Sequence, residues 1–256
     1  MVKSTANILN PVHQYQKYKN RNTNKKQKEY REDHKKYAQF ASDAYNGISD
    51  RKGYDGYEYD KDRSSDTHSV YSKGTDHILA LKGTSSLSDL IPDLFIATGT
   101  QDYSKMYKQD QKLFDQLKSS SGADDTWTVT GHSLGGNRAM YLAQNNDIHS
   151  YAYNPGYVGF SDDRINTSYA KHHVVVNEGD AISNSALDQS WKDITTVRRQ
   201  SYINPIANHS MDNIVSLRTS QERRDAAKEA VQYMKNGFFT QQAIDVFKGI
   251  NKQGQS

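Results

Sequence analysis

Residues 127–137 read WTVTGHSLGGN. A short β-type run, 127–130, enters Gly131; Ser133 follows two residues later, and Gly135 and Gly136 come next. Beyond them Ala139, Met140, Leu142 and Ala143 fall on one face of a helix over 134–145. The stretch therefore predicts a strand, a sharp turn carrying one serine, and a helix that doubles back beside the strand. Glycines on both sides of the serine leave the room that such a close approach needs. A glycine-rich turn with an incidental serine would have the same letters, so the rest of the chain must decide between them.

Upstream, Tyr30, His34, Tyr37, Ala41, Ala44 and Tyr45 share one face of a helix that starts near residue 27 and stops at Asn46-Gly47. Residues 50–67 read as a polar loop or a short ragged hairpin. Runs 68–72 and 77–82 flank Lys73-Gly74 and predict a hairpin. Leu87, Leu90, Ile91 and Leu94 suggest a short helix, and 102–118 a longer one. Downstream, 149–153, 172–177 and 194–199 read as strands, and 161–169 as a turn or two of helix. Ser220 and Thr240 each begin a C-terminal helix. Strands alternating with helices predict an α/β fold: a mainly parallel sheet flanked by helices, with extra helices at both ends.

The chemistry starts from Gly131-His132-Ser133-Leu134-Gly135, which matches the G-x-S-x-G nucleophile elbow. A serine there points away from the sheet, above the unpaired N–H groups of a helix N-terminus. A hydroxyl needs a base to take its proton, usually a histidine oriented by a carboxylate, in the chain order serine, acid, histidine. The acid should follow a strand. Asp180 lies three residues past HHVVVN; Glu178 is nearer and Asp188 farther. Of nine histidines only His209 follows Asp180, so the base has one candidate. There is no His-Glu-x-x-His, and His172 and His173 point to opposite faces of a strand, so no metal site is expected.

Four segments, in order, resemble the class 3 lipase family of the α/β-hydrolase superfamily. ILALKGTSSLSDLIPDL (78–94) is similar to that family's oxyanion strand and following helix, with Lys82 where the family has arginine. VTGHSLGGNRA resembles its elbow, YAYNPG the next strand, and HVVVNEGDAIS its acid segment. The resemblance spans about residues 68–215. It implies an α/β-hydrolase fold and a carboxylic ester hydrolase, a lipase or phospholipase acting on acylglycerol or phospholipid esters; the alternatives are a soluble esterase or thioesterase, or a non-catalytic structural or membrane-docking protein that retains the fold. It favours Asp180 over Glu178, making Ser133, Asp180 and His209 the catalytic set. It also implies that the Thr84 N–H joins that of Leu134 in an oxyanion hole. Leu87, Leu90, Ile91, Leu94, Phe95 and Ile96 would form either a lipid-facing lip or a core helix. No cofactor is implied.

Composition sets the outer limits. The 256 residues suit a single α/β domain over 27–250, between a polar arm at 1–26 and a tail at 251–256. Mean hydropathy is −0.94, and hydrophobic residues are 34% of the chain. The 18 tyrosines offset the shortage, since each has an apolar ring and a polar tip. Residues 1–40 hold ten Lys/Arg against three Asp/Glu, on a chain of net charge +3. Such an arm can reach an anionic or membrane surface. It carries no nucleic-acid-binding motif, so no specific nucleic-acid partner is expected. Cysteine is absent, which excludes disulfides and thiolate metal sites. Without an apolar signal segment or an 18-residue apolar run, the expectation is a soluble protein that stays in the cell that makes it.

Overall fold

A computed structural model describes residues 30–84, 104–156, 165–180, 183, 193–197, 207–219, 221, 222 and 225. Seven strands form one sheet: β1 (Glu58–Ser65), β2 (His68–Lys73), β3 (Asp76–Leu81), β4 (Thr126–His132), β5 (His149–Tyr153), β6 (His172–Asn177) and β7 (Ile194–Val197). They are hydrogen-bonded in chain order. β1, β2 and β3 are antiparallel neighbours, and β3 to β7 run parallel. The hairpin between β2 and β3 turns at Gly74, whose φ of 59° is open to glycine without strain.

Strand order dictates where the helices go. Parallel neighbours in chain order, joined by right-handed crossovers, put their connecting helices on one face. The helices α2 (Ser104–Ser119), between β3 and β4, and α3 (Leu134–Asn146), between β4 and β5, share that face. Phe114 and Leu117 of α2 and Ala139 and Leu142 of α3 pack on Val70, Leu79, Leu81 and Val129. The opposite face is covered from the chain ends, by α1 (Glu32–Asp43) and the short α4 (Asp212–Ser216). Alternation along β3 serves both layers: Ile78 and Ala80 face α1, while Leu79 and Leu81 face α2 and α3. The interior strand β6, flanked by β5 and β7, is apolar on both sides, hence the run Val174, Val175, Val176.

Tyrosine does much of the work of the α1 layer. The rings of Tyr71, Tyr151 and Tyr153 are buried under α1, and their hydroxyls reach polar groups on it. Tyr71 donates to Asp43, Tyr151 to Asp33, and Tyr153 to the carbonyl of His34. Tyr37 stacks on Tyr151 at 4.0 Å between ring centres. Fully buried Phe40 sits among Tyr54, Tyr57 and Tyr71. A large aromatic in such a setting costs about 3–5 kcal/mol when cut to alanine.

The α/β class, the mainly parallel sheet and the hairpin agree with the sequence reading. Helix α1 stops at Asp43, ahead of Asn46-Gly47, and Tyr45 leaves its face for another task described below. Residues 58–65 form a single strand paired antiparallel with β2, where the sequence suggested a loop or a hairpin contained within 50–67. The described part of 161–169, from 165, is turn instead of helix. The helix expected from Leu87, residues 198–199, and the two C-terminal helices apart from residues 221, 222 and 225 lie outside the described residues. Within the described residues no helix is long and apolar enough to cross a membrane.

Candidate active site

The site lies at the carboxyl end of β4, where the strand breaks into α3. Ser133, between them, has φ 57° and ψ −127°, a left-handed backbone that a non-glycine residue adopts only when its surroundings enforce it. The enforcement is visible on both sides. A Cβ on Gly131 would lie 2.3 Å from the Gly135 carbonyl oxygen, and one on Gly135 would lie 2.1 Å from the Leu81 carbonyl oxygen. Neither position admits a side chain, so the helix can enter directly against β3 and β4. The Ser133 N–H donates to the Tyr153 carbonyl at 3.0 Å, tying the turn to β5.

The structure brings Ser133, His209 and Asp180 together from three separate loops. His209 Nε2 lies 2.8 Å from Ser133 Oγ, and His209 Nδ1 lies 2.9 Å from Asp180 Oδ2. All three are buried. A carboxylate accepts, so Nδ1 carries the ring proton and Nε2 is left with a lone pair facing the hydroxyl. Of the acids weighed from sequence, two are described, and of these Asp180 is the one in contact with His209. Glu178 is half-buried just after β6, and its N–H pairs with Val197. Asp188 lies outside the described residues.

His209 sits on a 3-10 turn, Ala207–His209, that runs into α4. A set of buried asparagines holds this turn. Asn154, after β5, donates to the carbonyls of Asn208 and His209 at 3.3 and 3.1 Å. Asn177, at the end of β6, donates to the Asn208 carbonyl at 2.6 Å, and its N–H meets Asn154 Oδ1 at 2.7 Å. Asn208 reaches back to the Gly179 carbonyl beside Asp180. The base and the acid are therefore fixed to one frame at the ends of two strands.

Of the residues expected to hold an oxyanion, Leu134 follows the serine directly and Thr84 follows Gly83. Arg138 of α3 pairs with Asp110 of α2 and donates to the Lys82 carbonyl at 2.8 Å, which anchors the chain leaving β3. Gly83 follows, so close that a Cβ would lie 2.6 Å from the His132 carbonyl oxygen. Thr84, next in the chain, is half-buried. The N–H groups of Thr84 and Leu134 make no hydrogen bond among the described residues. Gly156 forms a wall: a Cβ there would lie 3.2 Å from Ser133 Oγ and 3.3 Å from the Leu134 nitrogen. The apolar residues 87–96 lie outside the described residues. Among the described residues, no three His, Cys, Asp or Glu are grouped to hold a metal ion.

Sequence reading missed Tyr45, His132, Asn154, Asn177 and Gly156 as parts of this site. The one available signal was positional: Asn154 directly follows β5 and Asn177 ends β6, where an apolar strand gives way to a loop.

No family model matches this chain, and no curated protein does. It is similar to several solved structures. A mutant of MDLA from Penicillium cyclopium aligns with TM-score 0.45 and 16% identity over 66% of this chain and 79% of that one. Lipase II from Rhizopus niveus aligns with TM-score 0.44 and 17% identity over 59% and 73%. The mono- and diacylglycerol lipase from Aspergillus oryzae aligns with TM-score 0.43 and 16% identity over 66% and 80%.

Proposed function

We propose that this chain is a serine carboxylic ester hydrolase, a lipase or phospholipase that acts on acylglycerol or phospholipid esters. The observation that carries the reading is Ser133 on a left-handed elbow, 2.8 Å from a histidine nitrogen whose partner nitrogen rests on Asp180. The lipid ester class follows from the four segments that resemble class 3 lipases. A peripheral contact with a lipid surface belongs to the same reading.

Ser133 Oγ attacks the ester carbonyl carbon as its proton passes to His209 Nε2. Asp180 holds the ring and stabilises the imidazolium that forms. The carbonyl oxygen becomes an oxyanion between the N–H groups of Leu134 and Thr84. Removing one such donor typically costs about 2.7–4 kcal/mol of transition-state stabilisation. The tetrahedral species collapses to an acyl-enzyme, and the leaving alkoxide takes the proton back from His209 Nε2. Water then attacks the acyl group with His209 again as base, releasing the acid and restoring Ser133.

The test is hydrolysis of p-nitrophenyl esters from short to long acyl chains, with lipid vesicles as a second substrate. The native chain should turn them over, with rates that rise toward longer chains, and Ser133→Ala should not. Rates that fall with chain length would move the assignment to a soluble esterase. Absence of turnover on every ester would overturn the reading.

A further inference from the structure

Two side chains behind the serine form a connection that the chemistry above does not use. Tyr45 follows the end of α1, and its hydroxyl oxygen lies 3.0 Å from His132 Nδ1. The same oxygen receives the Gly83 N–H at 3.1 Å. On the far side of the ring, His132 Nε2 lies 2.6 Å from the carbonyl oxygen of His209. The chain of contacts thus starts on the segment that leads to Thr84 and ends on the backbone of the candidate base.

The direction of every bond follows from what each atom can do. A carbonyl oxygen only accepts, so His132 Nε2 carries the ring proton. Burial, and then the neighbouring His209, push the His132 pKa down to about 3, so the ring is neutral in neutral solution and Nδ1 is a bare lone pair. The Tyr45 hydroxyl therefore donates to Nδ1 at 3.0 Å, with the His132 carbonyl oxygen as a longer second acceptor at 3.3 Å, and it accepts from Gly83. Burial raises the Tyr45 phenol above its ordinary range, so it keeps its proton as well. No member of the row ionises near neutral pH, so its role is mechanical.

We propose that Tyr45 and His132 are positioning residues, a neutral relay that keeps the oxyanion segment and the His209 turn in one register around Ser133. The proposal rests on the reading of Ser133 as nucleophile. The two segments it joins are 126 positions apart in the sequence, Gly83 to His209. Attack requires both within a few tenths of an ångström of their places, and misplacement by about 1 Å can cost 100-fold in rate. Crowding reinforces the relay: a Cβ on Gly83 would lie 2.4 Å from the Tyr45 hydroxyl. The segment rests on the relay and has no room to move toward it.

The experiment measures kcat and KM on p-nitrophenyl butyrate, with active sites counted by fluorophosphonate uptake at Ser133. Tyr45→Phe keeps the ring and removes the hydroxyl. It should lower kcat per titrated site by about 10- to 100-fold with KM within twofold. His132→Leu should lower it at least as far, and His132→Gln, which retains a donor, should recover part of the loss. The double variant Tyr45→Phe/His132→Leu should be no slower than His132→Leu alone, because both cut the same row. Counting sites separates this from poor folding, which lowers the titrated fraction and not the rate per site. Unchanged kcat per site in Tyr45→Phe, or multiplying losses in the double variant, would overturn the relay and leave the hydrolase reading standing. A native chain that neither turns over ester nor takes up the phosphonate would sink both.

Discussion

Two rows of serine, histidine and aspartate run through this chain, and the distances alone do not tell them apart. In one, Ser133 Oγ, His209 and Asp180 are joined at 2.8 and 2.9 Å. In the other, Ser72 Oγ, His77 and Asp125 are joined at 2.8 and 2.8 Å. The backbone separates them. Ser72 lies inside β2, paired on one side with Glu58 and on the other with His77, so its own amide belongs to the sheet. Ser133 stands on a left-handed turn with the first turn of α3 directly behind it. The ring nitrogens are also exchanged, for Nδ1 faces Ser72 whereas Nε2 faces Ser133. Arg63 donates a charge-assisted bond to Ser72 Oγ at 2.8 Å, which takes one of its two lone pairs and draws electron density from the oxygen. Three residue types in a row make a hydrogen-bond network; the strained turn at a helix N-terminus is what sets the candidate site apart.

The sharpest way to break this contrast is to remove each serine. Ser133→Ala should lower ester turnover by about 10⁴-fold or more. Ser72→Ala should stay within twofold of the native rate, and a parallel loss would erase the distinction. The acids come next. Asp180→Asn should cost about 10³- to 10⁴-fold in kcat, because it upsets the tautomer of His209. Asp125→Asn should leave kcat unchanged.

Glycines sharpen the same comparison on stability. Gly135→Ala drives a methyl group into the Leu81 carbonyl and should cost about 3 kcal/mol or more in urea unfolding. Gly74→Ala, in the hairpin next to Ser72, meets no atom within 4 Å, and only its φ of 59° counts against it, about 1 kcal/mol. Equal losses would mean that the elbow is no tighter than the hairpin.

A further expected effect is in pH. His132 stays neutral when folded down to about pH 3, while the unfolded side chain takes up a proton below 6.5. Between those values the unfolded chain binds the extra proton. The contribution is therefore complete above pH 6.5 and falls away as the pH drops. At pH 5 it amounts to about 2 kcal/mol. Urea unfolding at pH 7.5 and 5 should show a drop in the native chain that is smaller by this amount in His132→Gln. Equal drops would place a charge on the folded ring and break the bond directions of the relay.

Much of the site was legible in the letters because its key features are local. Gly131, Ser133 and Gly135 declare a tight strand–helix turn, and the order serine, acid, histidine left a single base. What was not legible depends on pairing across the chain. Strand β1 is polar on both faces, EYDKDRSS, because it is a half-exposed edge, and no periodicity marks such a strand. Tyr45 reads as one more apolar helix position; only the fold brings it to His132, 87 residues away. Asn154 and Asn177 look like ordinary loop residues until the turn carrying His209 is laid over them. Spacing alone left Glu178 and Asp180 open; the resemblance of HVVVNEGDAIS to the class 3 lipase acid segment favoured Asp180, which follows a turn at Gly179 with φ 75°.

The central claim is that the backbone, rather than the row of residue types, selects the reactive serine. The most direct test is to treat the native chain with a fluorophosphonate and map the adduct by peptide mass. The account predicts one adduct per chain, on Ser133, and none on Ser72. No adduct at all, or an adduct on Ser72, would contradict it.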